Sequence, residues 1–75
     1  MKYLIKAYDK ERKTAYEIHA DDLEIIEAKA LTYRAQGLSY KTYCKDLSGE
    51  YTEIFLNGRG GWSDGLGTYS VPEGR

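Results

Sequence analysis

The residue types that most often catalyse reactions are scarce in this chain, which contains one histidine, His19, and one cysteine, Cys44. A cysteine nucleophile needs a histidine within hydrogen-bond reach and a third group that orients the imidazole ring. Both residues fall in segments that alternate like strands, and no neighbouring residue completes such a set. The sequence therefore predicts that neither residue is catalytic, that Cys44 is a small buried thiol, and that the protein is not an enzyme.

Carboxylates are concentrated at one place, around the first turn of a predicted helix. The cluster consists of Asp21, Asp22, Glu24 and Glu27. Divalent cations bind oxygen ligands of this kind, but the spacing matches no calcium-binding loop. Helix capping and the helix dipole already account for acids at this position. The sequence therefore predicts no metal site, and an acidic edge that a basic macromolecular partner would recognise.

The closing stretch, residues 56–75, holds most of the glycines, the only tryptophan and the only proline. It lacks the Gly-Lys-Ser/Thr ending of a phosphate-binding loop and opens no helix, so we predict no nucleotide cofactor. We expect a glycine-permitted turn at 58–61, an anchoring role for Trp62 and a short edge strand at 67–71. Arg59, which stands between glycines, and the Trp62 indole are both candidates for contact with a partner.

Basic and aromatic side chains alternate on one side of a predicted strand at 38–46, where Lys41, Tyr43 and Lys45 would point together. Lys6 and Tyr8 would join them if the first strand lies alongside. Such a surface binds single-stranded nucleic acid through phosphate contacts and base stacking. The alternative is a solvated sheet face on which lysines discourage edge-to-edge pairing. Because strand order cannot be read from the sequence, both interpretations stay open.

Strands must position these residues, and four segments have the alternation of apolar and polar residues that strands require. The segments span residues 2–8, 14–20, 38–46 and 51–57. Short polar connections join the first to the second and the third to the fourth, which predicts two antiparallel hairpins. The third strand would place Tyr40, Thr42 and Cys44 on the side opposite its lysines.

One helix is predicted between the hairpins, over residues 20–37, with Asp21 as its N-cap and Gly37 as its left-handed end. It carries two apolar stripes. The first consists of Leu23, Ile26, Ala30 and Tyr33, and the second of Ile25, Ala28, Leu31 and Ala35. A helix that rests on one sheet needs only one stripe. The other would lie beneath the C-terminal segment or meet a partner, either a target protein or a second copy of the chain in a homodimer.

The element order predicts an α+β fold, a small antiparallel β-sheet with one helix packed across a face (ββαββ) and a short C-terminal edge strand. We expect a single domain over 1–75, with the ββαββ body at 2–57 and a glycine-rich loop and tail at 58–75. One cysteine can form no internal disulfide, which suits a reducing cytoplasm. No apolar run approaches the roughly 18 residues of a membrane span. The net charge of −1 indicates no strong general attraction to nucleic acid or membrane.

The tyrosine-rich hairpin, the segment EIHADDLEIIEAKALTYRAQG and the second hairpin, over about residues 2–57, resemble small proteins of phages and mobile elements, including anti-CRISPR proteins. The resemblance implies a phage-encoded inhibitor that occupies the surface of a bacterial defence nuclease complex in the host cytoplasm. The first hairpin and the helix also resemble antitoxins of the HicB type, but the Pro-Asp-Leu-Pro-Gly segment expected before the helix is absent. Neither family assigns a role to a residue of this chain.

Two functions follow from these patterns, and neither needs a cofactor or a metal. The first is a non-enzymatic binding protein that inhibits or regulates a macromolecular partner by occupying its surface, with aromatic anchors. Its candidate contact residues are Asp21, Asp22, Glu24, Glu27, Tyr43, Arg59 and Trp62. The alternative is a small nucleic-acid-binding module. Its candidate residues are Lys6, Lys41, Tyr43, Lys45 and Arg59.

Overall fold

Two antiparallel β-hairpins and the helix between them make up most of the chain. The structure is a computed structural model that describes residues 2–58, 61–64 and 69–70. The first hairpin consists of β1 (Tyr3–Asp9) and β2 (Thr14–Ala20), and the second of β3 (Ser39–Lys45) and β4 (Tyr51–Leu56). The helix, α1 (Leu23–Ala35), connects them. The predicted α+β class and the order ββαββ are thus confirmed.

An aspartate holds the turn of each hairpin by accepting hydrogen bonds from backbone amides that follow it. In the first turn, Asp9 Oδ1 accepts from the amide of Glu11 (3.0 Å). In the second, Asp46 Oδ1 accepts from the amides of Ser48 (2.9 Å) and Glu50 (3.0 Å). The hydrogen bond from the Ser48 hydroxyl, followed by that from the Glu50 amide, lowers the pKa of Asp46 below its ordinary value. These bonds supply turn geometry that neither connector obtains from an Asn-Gly pair.

The sheet brings the two hairpins together through their first strands. Two short strands, β5 (Trp62–Asp64) and β6 (Tyr69–Ser70), follow the second hairpin. In the described chain the sheet has the order β2-β1-β3-β4-β5-β6, and every pair is antiparallel. β1 therefore lies between β2 and β3, with Tyr3 opposite both Ala20 and Cys44. This pairing decides the strand order that the sequence left open.

The helix begins with a different cap from the one predicted. Asp22 is the N-cap, and its Oδ1 accepts a hydrogen bond from the Glu24 amide (2.9 Å). The Asp21 carboxylate instead accepts from the Lys2 amide (3.0 Å) and so holds the start of β1. The prediction of Asp21 as the cap is therefore wrong. Adjacent aspartates offer the same chemistry, and the path of the backbone decides which one faces the first turn.

The helix ends as its glycine predicts, two residues before Gly37. Gly37 has a φ of 75°, in the left-handed region. Its amide donates to the Arg34 carbonyl (3.0 Å), and the Leu38 amide donates to the Tyr33 carbonyl (2.9 Å). This pair of bonds is the Schellman motif, which pairs carbonyls that the end of a helix would otherwise leave unpaired. The chain then passes directly into β3.

The first apolar stripe of α1 packs on the sheet. Its members Leu23, Ile26, Ala30 and Tyr33 are all buried. Ile26 of α1 and Ile54 of β4 are among the most buried side chains of the core. The Thr42 hydroxyl, also buried, donates to the Ile54 carbonyl (2.8 Å), so its polar atom is paired. The second stripe faces outward in the structure, with Ile25 49% and Leu31 67% exposed.

The glycine-rich stretch extends the sheet. The Asn57 amide donates to the Gly61 carbonyl (3.1 Å). This bond joins the two ends of the segment predicted to turn at 58–61, of which residues 59 and 60 lie outside the described chain. Trp62, opposite Leu56, is half-buried and packs against the core. The strand β5 that starts there was not predicted, because its Ser63 and the aspartate after it have low strand propensity and its pairing comes from β4.

The predicted edge strand at 67–71 is described only at Tyr69–Ser70, where β6 pairs with β5. The rest of that prediction, and the predicted contact residue Arg59, lie outside the described residues.

Candidate functional site

The side of the sheet opposite α1 is the candidate site, and we call it the open face. The register places alternate residues of β1 to β4 on it, while their neighbours form the core. Its larger members are Leu4, Lys6, Tyr8, Glu17, His19, Lys41, Tyr43, Lys45, Tyr51, Glu53 and Phe55. Aromatic rings are frequent among them. Contiguous aromatic surface on an uncovered face is typical of a contact site.

The β1–β3 pairing assembles the predicted basic-aromatic set on this face. Lys6 lies directly opposite Lys41, and Tyr43 is two residues further along β3. Lys6 Nζ is 5.7 Å from the centre of the Tyr43 ring, and Lys45 Nζ is 5.9 Å from that of Tyr51. These are cation–π distances. Among the described residues the three lysines form no ion pair, and the ammonium groups of Lys6 and Lys45 lie beside rings.

One end of the open face is closed by its own side chains. Leu4 is only 4% exposed although it points away from α1. The strands that carry His19 and Tyr51 lie about 14 Å apart, since three strand spacings separate β2 from β4. Their ring centres nevertheless lie 6.0 Å apart, so both side chains lean toward each other across β1 and β3. His19 Nε2 also donates to the Glu17 carboxylate (2.8 Å). Glu17 lies opposite Lys6 on the neighbouring strand, so the carboxylate nearest to Lys6 in the register is already bound by His19.

The other end of the open face is accessible. A shallow depression of about 600 Å³ lies where β1, β2 and β3 run side by side, and Lys6, Tyr8, Lys41 and Tyr43 contribute to its wall. Tyr8 is 43% exposed and Phe55, on β4, is 56% exposed. A depression of this volume has the size of sites that accept small ring systems. Exposed rings and free ammonium groups are thus adjacent at this end.

The acidic residues around the start of α1 lie on the helix side, away from Tyr43. Two of them have structural roles, since Asp22 caps the helix and Asp21 binds a backbone amide at the start of β1. Glu24 and Glu27 line a groove of about 510 Å³ between α1 and the end of β4. The acidic edge is therefore separated from the open face by the full thickness of the sheet.

The residues predicted to contact a protein partner do not form one surface in the described chain. Tyr43 is on the open face, Trp62 packs against the core, and Arg59 is outside the described residues. The set predicted for nucleic-acid binding behaves differently. Apart from Arg59, its members Lys6, Lys41, Tyr43 and Lys45 lie together on the open face.

His19 and Cys44 lie on opposite faces of the sheet, so they cannot act as a base and its nucleophile. Cys44 is a free thiol in the core. Burial raises the pKa of this thiol, against a smaller lowering by the nearby Lys2 ammonium. A buried thiol with a raised pKa is protonated and unreactive at neutral pH. Within the described chain, no three histidine, cysteine or acidic side chains are grouped as a metal site requires.

Sequence reasoning did not include Phe55 and Leu4 in the basic-aromatic surface. Phe55 had a usable signal, because its alternation with Ile54 put a large ring on the outward side of a strand. Leu4 had none, since its burial depends on which strands lie beside β1, and these set His19 and Tyr43 directly opposite it.

Comparisons with known proteins leave the site to be interpreted from its own geometry. The sequence matches no protein-family model, and neither a curated protein sequence nor a solved structure is significantly similar to it. The described part of the chain contains no helix with the length and apolar character needed to cross a membrane.

Proposed function

We propose that the protein is a non-catalytic binding protein that holds single-stranded nucleic acid on the open face of its sheet. One observation supports this above the others. Because β1 lies beside β3, Lys6, Lys41, Lys45 and Tyr43 share one surface. The nucleic-acid interpretation of the sequence depended on that adjacency.

The chemistry of this surface suits unpaired bases. Aromatic rings such as Tyr8 and Phe55 can stack on a base only when its face is free, which excludes a regular duplex. Ammonium groups beside the rings would bind the phosphates between stacked bases. Each stacked ring contributes about 1–3 kcal/mol in systems of this kind. The combination gives binding that depends little on sequence and strongly on salt.

A second proposal assigns the contact site to the helix side. The protein would then inhibit or regulate a macromolecular partner by occupying its surface, as a phage-encoded inhibitor of a bacterial defence nuclease complex would. The groove beside α1 favours it, because the exposed Leu31 lines it together with two acids, Glu24 and Glu27, and one base, Arg34. An apolar side chain with charged neighbours, of which two are acidic and one is basic, would suit a polar protein surface with basic groups. Both proposals place the protein in a reducing cytoplasm, where Cys44 stays a thiol.

A fluorescence-anisotropy titration with labelled oligothymidylate and oligouridylate tests the first proposal. We expect the affinity to fall with salt, with a log–log slope of about −2, because roughly 0.7 counterions are released per phosphate contact on single strands. A duplex of the same length should bind more weakly. Absence of binding to either oligonucleotide at the lowest salt would contradict the proposal.

Matched variants locate the site. Lys41→Ala should weaken binding and reduce the salt slope by about 0.7, whereas Lys29→Ala, an exposed lysine on the helix with the same charge change, should leave both unchanged. Phe55→Ser should weaken binding by roughly fivefold or more, and Leu31→Ser should not. If only the helix-side variants weaken binding, the open face is not the site and the first proposal fails.

A further inference from the structure

The outer edge of β2 is a regular strand edge without a neighbour in the described chain, since β2 ends the sheet. Its seven residues pair one-to-one with β1, without a bulge. It contains neither proline nor lysine, the residues by which natural edge strands commonly avoid pairing. β2 therefore presents a straight row of amide and carbonyl groups that another strand can pair with.

We propose that β2 pairs antiparallel with β2 of a second copy of this chain, around a twofold axis at Ile18. The pairing joins two sheets edge to edge into one. This association is independent of what the open face binds, because it uses the backbone of the edge strand.

The sequence of β2 selects this axis. Residues opposite each other in an antiparallel pair point to the same side, so a twofold axis between identical strands passes through a residue. An axis at Glu17 sets two glutamates against each other, which is unfavourable. An axis at His19 sets Glu17 against Asp21, and one at Tyr16 brings no complementary polar groups together. The axis at Ile18 sets Glu17 of each copy opposite His19 of the other, so the interface contains two such pairs.

The side chains of β2 offer complementary polar groups on one face and apolar groups on the other. Glu17 and His19 are both exposed, and within one chain they already bind each other at 2.8 Å. Around the axis the four groups alternate along the two strands. The His19 ring, which leans toward Tyr51 in the single chain, turns outward in the dimer to reach the partner's carboxylate. On the helix side, Ile18 and the exposed Tyr16 ring gain apolar cover from the partner.

The helices leave room for the second copy. The axis is perpendicular to the sheet, so both open faces lie on one side and both helices on the other. α1 packs over β1, β2 and β3, and the two β1 strands would be about 14 Å apart, three strand spacings. A helix with its side chains is roughly 10 Å wide, so the two helices do not collide.

Engineered disulfides test the register. In a Cys44→Ala background, Ile18→Cys should give a disulfide-linked dimer under mild oxidation, since paired Cα atoms lie about 4.5–5.5 Å apart, within disulfide range. Tyr16→Cys is the matched control, because the proposed axis holds the two Tyr16 Cα atoms about 13 Å apart. Crosslinking of both variants, of neither, or of Tyr16→Cys alone would overturn the proposal.

Sedimentation equilibrium gives a second readout that needs no oxidation. The wild-type chain should show a monomer–dimer equilibrium, and Glu17→Lys should raise the dimer dissociation constant roughly tenfold. The double variant Glu17→Lys with His19→Glu restores opposite charges in the same register and should restore the dimer. A wild-type chain that stays monomeric at the highest concentration, or a folded double variant that stays as weak as the single one, would contradict the proposal.

Discussion

Two adjacent aspartates at the start of α1 have the same chemistry and different partners. Asp22, with an extended backbone (φ −107°, ψ 122°), accepts from the Glu24 amide and caps the helix. Asp21 turns back to the Lys2 amide and joins the helix start to β1. Composition alone cannot separate these roles, because both aspartates stand ahead of an apolar run. The backbone conformation at Asp22 decides between them.

Matched alanine substitutions separate these roles. We expect Asp22→Ala to lower the free energy of unfolding by about 1 kcal/mol, the usual cost of an N-cap. Asp21→Ala should cost less, since it removes one exposed hydrogen bond near the start of the chain. Urea denaturation followed by circular dichroism measures both values. A larger loss for Asp21→Ala would mean that the cap is assigned to the wrong residue.

Strands and helix were predictable at the level of the element because their patterns are local. Alternation with a period of two placed β1 to β4 within one or two residues of their observed ends, and put Thr42 on the buried side of β3. The sequence near the helix could not show which of its two stripes is buried, since both are apolar. The buried stripe is the one that packs on the sheet. Burial of Ile26 and exposure of Ile25 show which stripe it selects.

A pair of isoleucine substitutions on α1 measures that selection. Ile26→Ala should lower the free energy of unfolding by about 2–5 kcal/mol, because it opens a cavity in the core. Ile25→Ala should change it by no more than about 0.5 kcal/mol. Ile26→Val, with an expected loss of about 0.5–1.5 kcal/mol, keeps the comparison measurable if the alanine variant unfolds. Similar losses at the two positions would show that both stripes are covered in solution.

Strand order is a property of the whole molecule, and the candidate site depends on it. The residues of the basic-aromatic set were visible in the sequence, but their assembly required β1 to lie beside β3 rather than at an edge. That pairing joins Tyr3 to Cys44, which are far apart in the chain. Long-range pairing of this kind is set by the packing of the complete sheet and has no local signature.

Hydrogen exchange tests the strand order directly. Amides of β1 and β3 should exchange slowest, because strands on both sides protect them. Amides of β5 and β6 should exchange much faster, since these strands contain three and two residues. Two-dimensional NMR in deuterated buffer resolves the individual rates. Fast exchange of the β1 amides that face β3 would place β1 at an edge and separate Lys6 from Lys41.

The separation of lysines from the acidic helix start has a kinetic consequence. A net charge of −1 conceals this separation. The three lysines of the open face outnumber its two acids, Glu17 and Glu53, whereas Asp21, Asp22 and Glu24 lie across the sheet. Such an arrangement is an electric dipole directed through the sheet. Within a Debye length of a polyanion, about 10 Å in 0.1 M salt, the field would rotate the molecule before contact. Orientation during the encounter would then raise the association rate constant, and added salt would slow capture more than it shortens the lifetime of the complex.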